Sequence, residues 1–394
     1  MTSPTAHRTL RVVVATNGLT ITGGVERCVL EDVGELVSAG HDVEVWHRPA
    51  PTGRPDDGRA PFDRLGVRLR PARDYSFSVR TAPRDLLRFV GEGLRLRRSR
   101  PDVLWLNRPE FLPWGRVVSF VSGVPLAVHL HHAPNYRRLG PFAAGRTRFF
   151  AVSTAMARAW TAAGAPADRI DAVPNGVDTS AFPLATPAST RRARAALGID
   201  DDRPVVLHYG RLTRSKGVLA LLEAWGRVHA STRVLVGHGT PPAPAPVLVL
   251  AGALSAADAP AVRRAIAALP PGSVIVVPER DDVVPVLHAA DVVVAPSIEP
   301  EGYGRVVVEA MSTGRPVVAA ASGGTAEILR GEWARFTVEP TDTDALADTL
   351  IEALHASGTE PGLADRCRAW VRDHHGRDRH VAALLQALRD HAEH

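Results

Sequence analysis

Two acids and two cations in the second half of the chain have the types and spacing to grip a charged ligand rich in hydroxyls. Glu301 closes the run Pro296-Ser297-Ile298-Glu299-Pro300-Glu301, and Gly302-Tyr303-Gly304 leads on into a predicted helix that carries Glu309. If that stretch were helical throughout, the two carboxylates would stand about 12 Å apart, roughly the span from sugar to ribose in a bent nucleotide sugar. Each carboxylate can accept from two neighbouring hydroxyls. Gly302 and Gly304 let the backbone approach closely, and a helix amino terminus favours a diphosphate. The plainer reading makes Glu301 a helix cap and Glu309 a solvated face residue.

The cations lie in Gly210-Arg211-Leu212-Thr213-Arg214-Ser215-Lys216-Gly217, directly after an apolar run. Arg211 and Lys216 on such a loop can hold a pyrophosphate from two sides and stabilise charge developing on a leaving group. A solvated turn is the alternative, but Lys216 is the only lysine in a chain otherwise stocked with arginine. A compact ammonium there is a different device from a planar guanidinium. Thr22-Gly23-Gly24-Val25-Glu26-Arg27 follows the first apolar run, and paired glycines before a helix form an anion-friendly turn. It is not the Gly-x-Gly-x-x-Gly of dinucleotide binding. His129-Leu130-His131-His132 ends a strand; no carboxylate or cysteine is close in sequence, which disfavours a metal. One histidine facing a cleft would instead orient a sugar hydroxyl.

The elements that must position these residues alternate strand and helix. Leu10 to Ala15 is continuously apolar, as a strand buried on both faces is. Val25, Cys28, Val29, Val33, Leu36 and Val37 then recur at helical spacing, Gly40 can end that helix, and His41 to Trp46 resumes a strand. Parallel pairing needs such a crossover. Further strands are predicted at Val103–Leu106, Leu126–Leu130, Phe149–Val152 and Ile170–Val173. A second run begins at Pro204–Tyr209 and continues through Val247–Leu250, Val274–Val277, Val292–Ala295 and Pro316–Ala319. Thr240–Pro246 reads as a surface loop. The expected organisation is two Rossmann-like, doubly wound α/β domains facing across a cleft: residues 1–182, a linker over 183–203, residues 204–361, and helices over 362–394 that cross back to the first domain.

Composition bounds the rest. A chain of 394 residues that is 45% hydrophobic and 23% charged is globular and long enough for two cores. Cys28 and Cys367 form neither a disulfide framework nor a metal motif. The polar first residues lack the apolar core of a signal peptide, and no apolar run reaches a membrane span, so a cytoplasmic location is expected. The net charge of +5 suits a small anion or an anionic surface. No basic stripe interleaved with aromatics speaks for nucleic acid. Arg84-Asp85-Leu86-Leu87-Arg88-Phe89 through Arg100 is basic and amphipathic; it reads as an ordinary helix before a strand, with peripheral membrane contact as the alternative.

Taken together these motifs resemble the retaining glycosyltransferases of family 4, which have the GT-B fold. The likeness rests on Glu301 and Glu309 as an E-x7-E pair, on Gly210-Arg211 with Lys216-Gly217, and on Gly23-Gly24-Val25-Glu26-Arg27. It also rests on Val173-Pro174-Asn175-Gly176-Val177-Asp178 with Phe182, on Phe150-Ala151-Val152-Ser153, and on Ala290-Asp291-Val292. The resemblance implies that Glu301 holds the donor hexose, Glu309 the ribose, and Arg211 and Lys216 the diphosphate. Gly23 and Gly24 fall on the phosphate side, and the amides of Gly24, Gly302, Tyr303 and Gly304 contact phosphate or sugar. His131 lies near the reacting carbon, and Glu279 and Arg280 lie around the base.

Also implied are a nucleotide-sugar donor (uridine diphosphate first, guanosine diphosphate next), a small-molecule or glycan acceptor, and retention of anomeric configuration. No cofactor or metal is expected. His132, the loop Gly331-Glu332-Trp333-Ala334-Arg335 and His374-His375-Gly376 depart from the family pattern. A nucleotide-sugar epimerase of the same architecture, a pyridoxal-phosphate phosphorylase and a binding protein without turnover are the rival readings. The phosphorylase would need a lysine that the phosphate loop already uses.

Overall fold

The computed structural model describes residues 8–21, 23–48, 58–72, 75–134, 139–200, 202–234 and 244–393. Thr22 of the paired-glycine motif, and residues 240–243 of the Pro-rich stretch expected as a surface loop, lie outside them. The chain divides into two compact units, Met1–Asn175 with His380–His394, and Gly176–Arg379.

Among the described residues, the first unit holds seven parallel strands: β1 (Arg11–Thr16), β2 (Asp42–His47), β3 (Arg68–Pro71), β4 (Val103–Leu106), β5 (Leu126–Leu130), β6 (Thr147–Ala151) and β7 (Ile170–Ala172). Their spatial order is β3-β2-β1-β4-β5-β6-β7. In register, Val13 of β1 lies between Glu44 of β2 and Leu104 of β4. β4 and β5 are buried along their whole length, as the continuous apolar runs require. The core gathers Val12, Val14, Val33, Leu36, Trp105 and Phe150. Leu384, Ala387 and Leu388, from the far end of the chain, complete it.

The second unit holds six parallel strands among its described residues: β8 (Val205–Tyr209), β9 (Val247–Ala251), β10 (Val274–Val277), β11 (Val292–Ala295), β12 (Val317–Ala320) and β13 (Thr337–Val338). The order is β10-β9-β8-β11-β12-β13, with Leu207 opposite Val249 on one side and Val293 on the other. Each sheet therefore reverses its strand order once, between β1 and β4 and between β8 and β11. Ligands of open parallel sheets bind outside the carboxyl ends of the strands at such a reversal.

Two expectations need correction. The segment 183–203, expected as a linker, contains the helix Pro187–Leu197, and all of it falls within the second unit. Thr186 and Ser189 form a reciprocal capping box, and proline at the first helical position suits that start. The helix docks through Arg194, whose guanidinium holds both Asp291 oxygens at 2.8 Å and the Ala289 carbonyl at 3.1 Å. A helix anchored by a charge carries little apolar periodicity.

The terminal helices also divide. Leu363–His375 belongs to the second unit, where Arg368 donates to the Phe182 and Ser312 carbonyls, and only residues from His380 join the first. There the His380 ring stands between the Asp32 carboxylate at 2.9 Å and the Pro174 carbonyl at 2.8 Å. Both ring nitrogens thus face oxygen atoms.

Candidate active site

The loops after β8 and β11 flank the reversal of the second sheet, and they hold most of the chemistry. The segment 210–217 leaves β8 at Gly210, whose φ of 127° is open only to glycine at little cost. Thr213 caps the short turn Arg214–Lys216 by accepting from the Lys216 amide. Gly217, at φ 77°, lies so close to the loop after β11 that a Cβ there would overlap the Pro296 carbonyl. Ile298 donates its amide to the Ser215 carbonyl at 2.9 Å, so the two loops are tied backbone to backbone.

This interlock places Lys216 Nζ 2.5 Å from Glu301 Oε1. Ser297 Oγ donates to the same oxygen at 2.5 Å. Both partners are only partly exposed, 27% for the lysine side chain and 23% for the glutamate. Glu301 does not cap a helix. It pairs in a bridge with Gly323, and the Gly324 amide donates to its carbonyl at 2.9 Å. A Cβ on Gly323 would overlap the Glu301 backbone, and one on Gly324 would crowd Tyr303. The helix begins only at Arg305, with Gly304 at its start in the left-handed region. The helical rise between Glu301 and Glu309 assumed from the sequence therefore does not apply.

Glu309 is not a solvated face residue either. It is buried on the helix Arg305–Ser312, where Tyr209 Oη, at the end of β8, donates to Oε2 at 2.6 Å and Arg305 Nε to Oε1 at 3.0 Å. Tyr303 is buried, and its hydroxyl meets His375 Nδ1 at 3.0 Å. Burial pushes the His375 imidazole down to about 4, so the ring that meets the phenol is neutral at neutral pH. Arg211 is exposed, and its side chain forms no ion pair among the described residues. Glu279 and Arg280 are exposed beyond edge strand β10, two strands from β8. No hydrogen bond or ion pair among the described residues joins them to the Lys216–Glu301 pair.

In the first unit, Gly23 and Gly24 begin the helix Gly24–Ser38 after β1, and Glu26 in its first turn pairs with Arg108 after β4. These are the two strands beside that sheet's reversal. His131 follows β5, and its ring lies 4.2 Å from that of His129, two residues earlier on the same face. Both imidazoles are buried; among the described residues, both His129 nitrogens and His131 Nε2 lack a hydrogen-bond partner. Burial, and next the neighbouring His129, hold His131 well below the usual histidine value. Burial takes His129 down to about 3. His132 is different: its Nε2 meets Glu110 Oε1 at 3.0 Å, and that bond raises its affinity for a proton. No group of three or more His, Cys, Asp or Glu among the described residues is arranged to hold a metal ion.

The site also uses residues that the sequence reading passed over. Ser297 and Tyr209 hold the two glutamates, Gly323 and Gly324 set the Glu301 backbone, and Arg108 meets Glu26. Ser297 and Tyr209 were legible as strand-end residues, and Gly323-Gly324 repeats the paired-glycine signal after β12. A cavity of about 400 Å³ beside Thr186, Thr190 and Arg315 lies at the helix Pro187–Leu197, not at the strand tips where these groups meet.

Two parallel α/β units, with a cation–carboxylate pair at the strand-order reversal of the second, define the GT-B class of fold. Solved structures of that fold match along nearly the whole chain. HepE from Anabaena in complex with UDP has a TM-score of 0.79 at 20% identity, covering 97% of this chain and 100% of that one. A glycosyltransferase from Rickettsia africae has a TM-score of 0.80 at 17% identity, covering 98% and 99%. Residues 22–181 match the model for Glycosyltransferase Family 4, and residues 189–370 match that for glycosyl transferases group 1. Between them the two matches take in most of the chain, which is similar to glycosyltransferases of both descriptions.

Among curated relatives, the D-inositol 3-phosphate glycosyltransferase of Xylanimonas cellulosilytica is 35% identical over 225 residues, 56% of this chain and 51% of that protein. The enzyme of that name from a Mycobacterium species is 37% identical over 186 residues, 47% and 39%. The chain spans about half the length, or less, of these relatives.

Proposed function

We propose that this chain is a metal-independent, retaining glycosyltransferase that moves a hexose from a nucleoside-diphosphate sugar to a hydroxylated acceptor. The observation that carries this reading is the Lys216–Glu301 contact of 2.5 Å at the tips beside the β8/β11 reversal. A diphosphate entering there would draw the ammonium toward its own charge and release Glu301 to accept from hexose hydroxyls. Arg211, with no carboxylate partner among the described residues, would close on the phosphates from the other side. Glu309, its orientation fixed by Tyr209 and Arg305, would accept from the ribose hydroxyls, since a carboxylate has about four acceptor positions.

The amides of Gly302, Tyr303 and Gly304 would complete the donor's contacts, with Glu279 and Arg280 around the base. From the first unit, Gly23 and Gly24 would meet phosphate, and neutral His131 would take a hydrogen bond from the sugar near the reacting carbon. The leaving phosphate would receive the acceptor's proton on the face it departs from, which retains configuration. The donor favoured is a UDP-sugar, since a neighbour of like fold is described with UDP-glucose. The names of the relatives point to a phosphorylated cyclitol as acceptor.

A melting-temperature screen over UDP, GDP, ADP and their sugars tests the donor, because a ligand selective for the folded state raises the transition. Transfer to D-inositol 3-phosphate, with the product anomer read by NMR and EDTA present throughout, tests the rest. The proposal is lost if no nucleoside diphosphate shifts the melt, or if donor alone is converted to its epimer.

A further inference from the structure

The helix Ala82–Ser99 in the first unit is built the wrong way round for a helix that faces water. Its buried side consists of Asp85, Phe89, Glu92, Gly93 and Leu96. These include both of the helix's acids. Asp85 accepts from Thr81 Oγ1 at 2.7 Å and from the Ser78 amide at 3.2 Å; Glu92 accepts from Trp114 Nε1 at 2.5 Å. Of its leucines only Leu96 is inside. Leu87 is 75% exposed, Leu94 45% and Leu86 42%, and Val90 joins them. At 3.6 residues per turn these four fall within about 100° of one another, one continuous apolar stripe.

Every exposed charge on the helix is a guanidinium. Arg84, Arg95 and Arg98 run along one border of the stripe, and Arg97 and Arg100 close its carboxyl end. Arg95, Arg97, Arg98 and Arg100 form no ion pair among the described residues. Arg97, Arg98, Arg100 and Leu94 line a cavity of about 430 Å³. The neighbouring helix Leu112–Ser122, which packs against Gly93 through Val118 and Val121, carries Phe120 with 82% of its surface exposed.

We infer that this face rests on an anionic lipid bilayer, the helix lying in the plane of the interface. The occupant follows from the chemistry. An apolar stripe bordered by cations buries its leucines among acyl chains while the arginines reach lipid phosphates, which their fork geometry suits. A second copy of this chain would bring guanidinium against guanidinium with no exposed acid on the helix to offset them. No helix among the described residues is long and apolar enough to cross a membrane, so contact of this kind is peripheral. The inference does not depend on the donor or acceptor proposed above.

Sedimentation of the full chain with vesicles tests it. Binding to phosphatidylcholine vesicles containing phosphatidylglycerol should exceed binding to phosphatidylcholine alone by about 10-fold or more and should fall with added salt. Leu87→Asp with Leu94→Asp should abolish binding. Arg95→Gln with Arg98→Gln, which leaves the packed face untouched, should cut the preference for anionic vesicles several-fold. Circular dichroism and the melting temperature verify folding of both variants, and the charge pair decides if the leucine pair misfolds. Equal binding to both vesicle types, binding that survives the arginine substitutions, or a wild-type oligomer that those substitutions dissociate would each overturn the inference.

Discussion

The carboxyl edges of the two sheets handle polar groups in opposite ways. In the second unit Lys216, Glu301 and Glu309 each sit against a partner, and glycines press the supporting loops together. In the first unit the β5 tip holds two imidazoles stripped of water and short of hydrogen-bond partners, and burial keeps them neutral. The β8 and β11 tips are charged and pre-arranged; the two buried rings at the β5 tip are polar but uncharged. Under the proposed function, an anionic leaving group would call for the first kind of surface, and a sugar carbon gaining positive character would be served by neutral groups. The contrast also explains why the strongest sequence signals lay in the second half, where charged residue types at fixed spacing are visible without coordinates.

The sharpest test removes the charged edge. Lys216→Ala and Glu301→Ala should each lower turnover by about 10² to 10³-fold with unchanged circular dichroism; a variant with the wild-type rate would end the assignment. Next comes the framework beneath it. Gly217→Ala asks a left-handed backbone and the space of the Pro296 carbonyl to accept a methyl group, and should cost about 2–3 kcal/mol in denaturant unfolding. Equal stability would mean that the loops are not interlocked.

Acid tests the buried imidazoles of both units. Burial depresses His129 to about 3 and His208 and His391 to about 4, while unfolded histidines take up protons near 6.5. Between pH 6.5 and 4 the unfolded chain therefore binds more protons than the native one, and stability falls as pH falls. The melting temperature should drop by roughly 5 °C or more across that window. A flat profile would show the rings are hydrated. The smallest effect concerns Tyr303: His375→Phe, which removes its hydrogen-bond partner, should raise donor KM about 5-fold with little change in kcat, and His375→Gln should restore it.

Sequence periodicity located strands well wherever both faces are buried. Val103–Leu106, Leu126–Leu130 and Val292–Ala295 fall where continuous apolar runs put them. It missed β3 and β13, both at sheet edges. Arg-Leu-Arg-Pro offers a single aliphatic residue of low exposure, and Thr337–Val338 is two residues long, so neither leaves a pattern. The helix Pro187–Leu197 was hidden because its anchor is a guanidinium. At the site, residue types announced Lys216, Glu301 and Glu309, but their pairings could not be read, because Tyr209 and Glu309 are 100 residues apart. The inversion of the Ala82–Ser99 helix was equally invisible, since a periodic stripe does not say which side meets water.

The first unit is discontinuous along the chain: Leu384, Ala387 and Leu388 fill its core, and His380 answers Asp32, 348 positions earlier. During synthesis its seven strands can be made and the whole second unit completed before that last helix emerges. Until then, a carboxylate and an apolar groove remain exposed to bulk water. The earlier-made unit is thus the later to finish folding, and a nascent chain halted before residue 380 should be held by chaperones or proteolysed within the first unit while the second already resists cleavage.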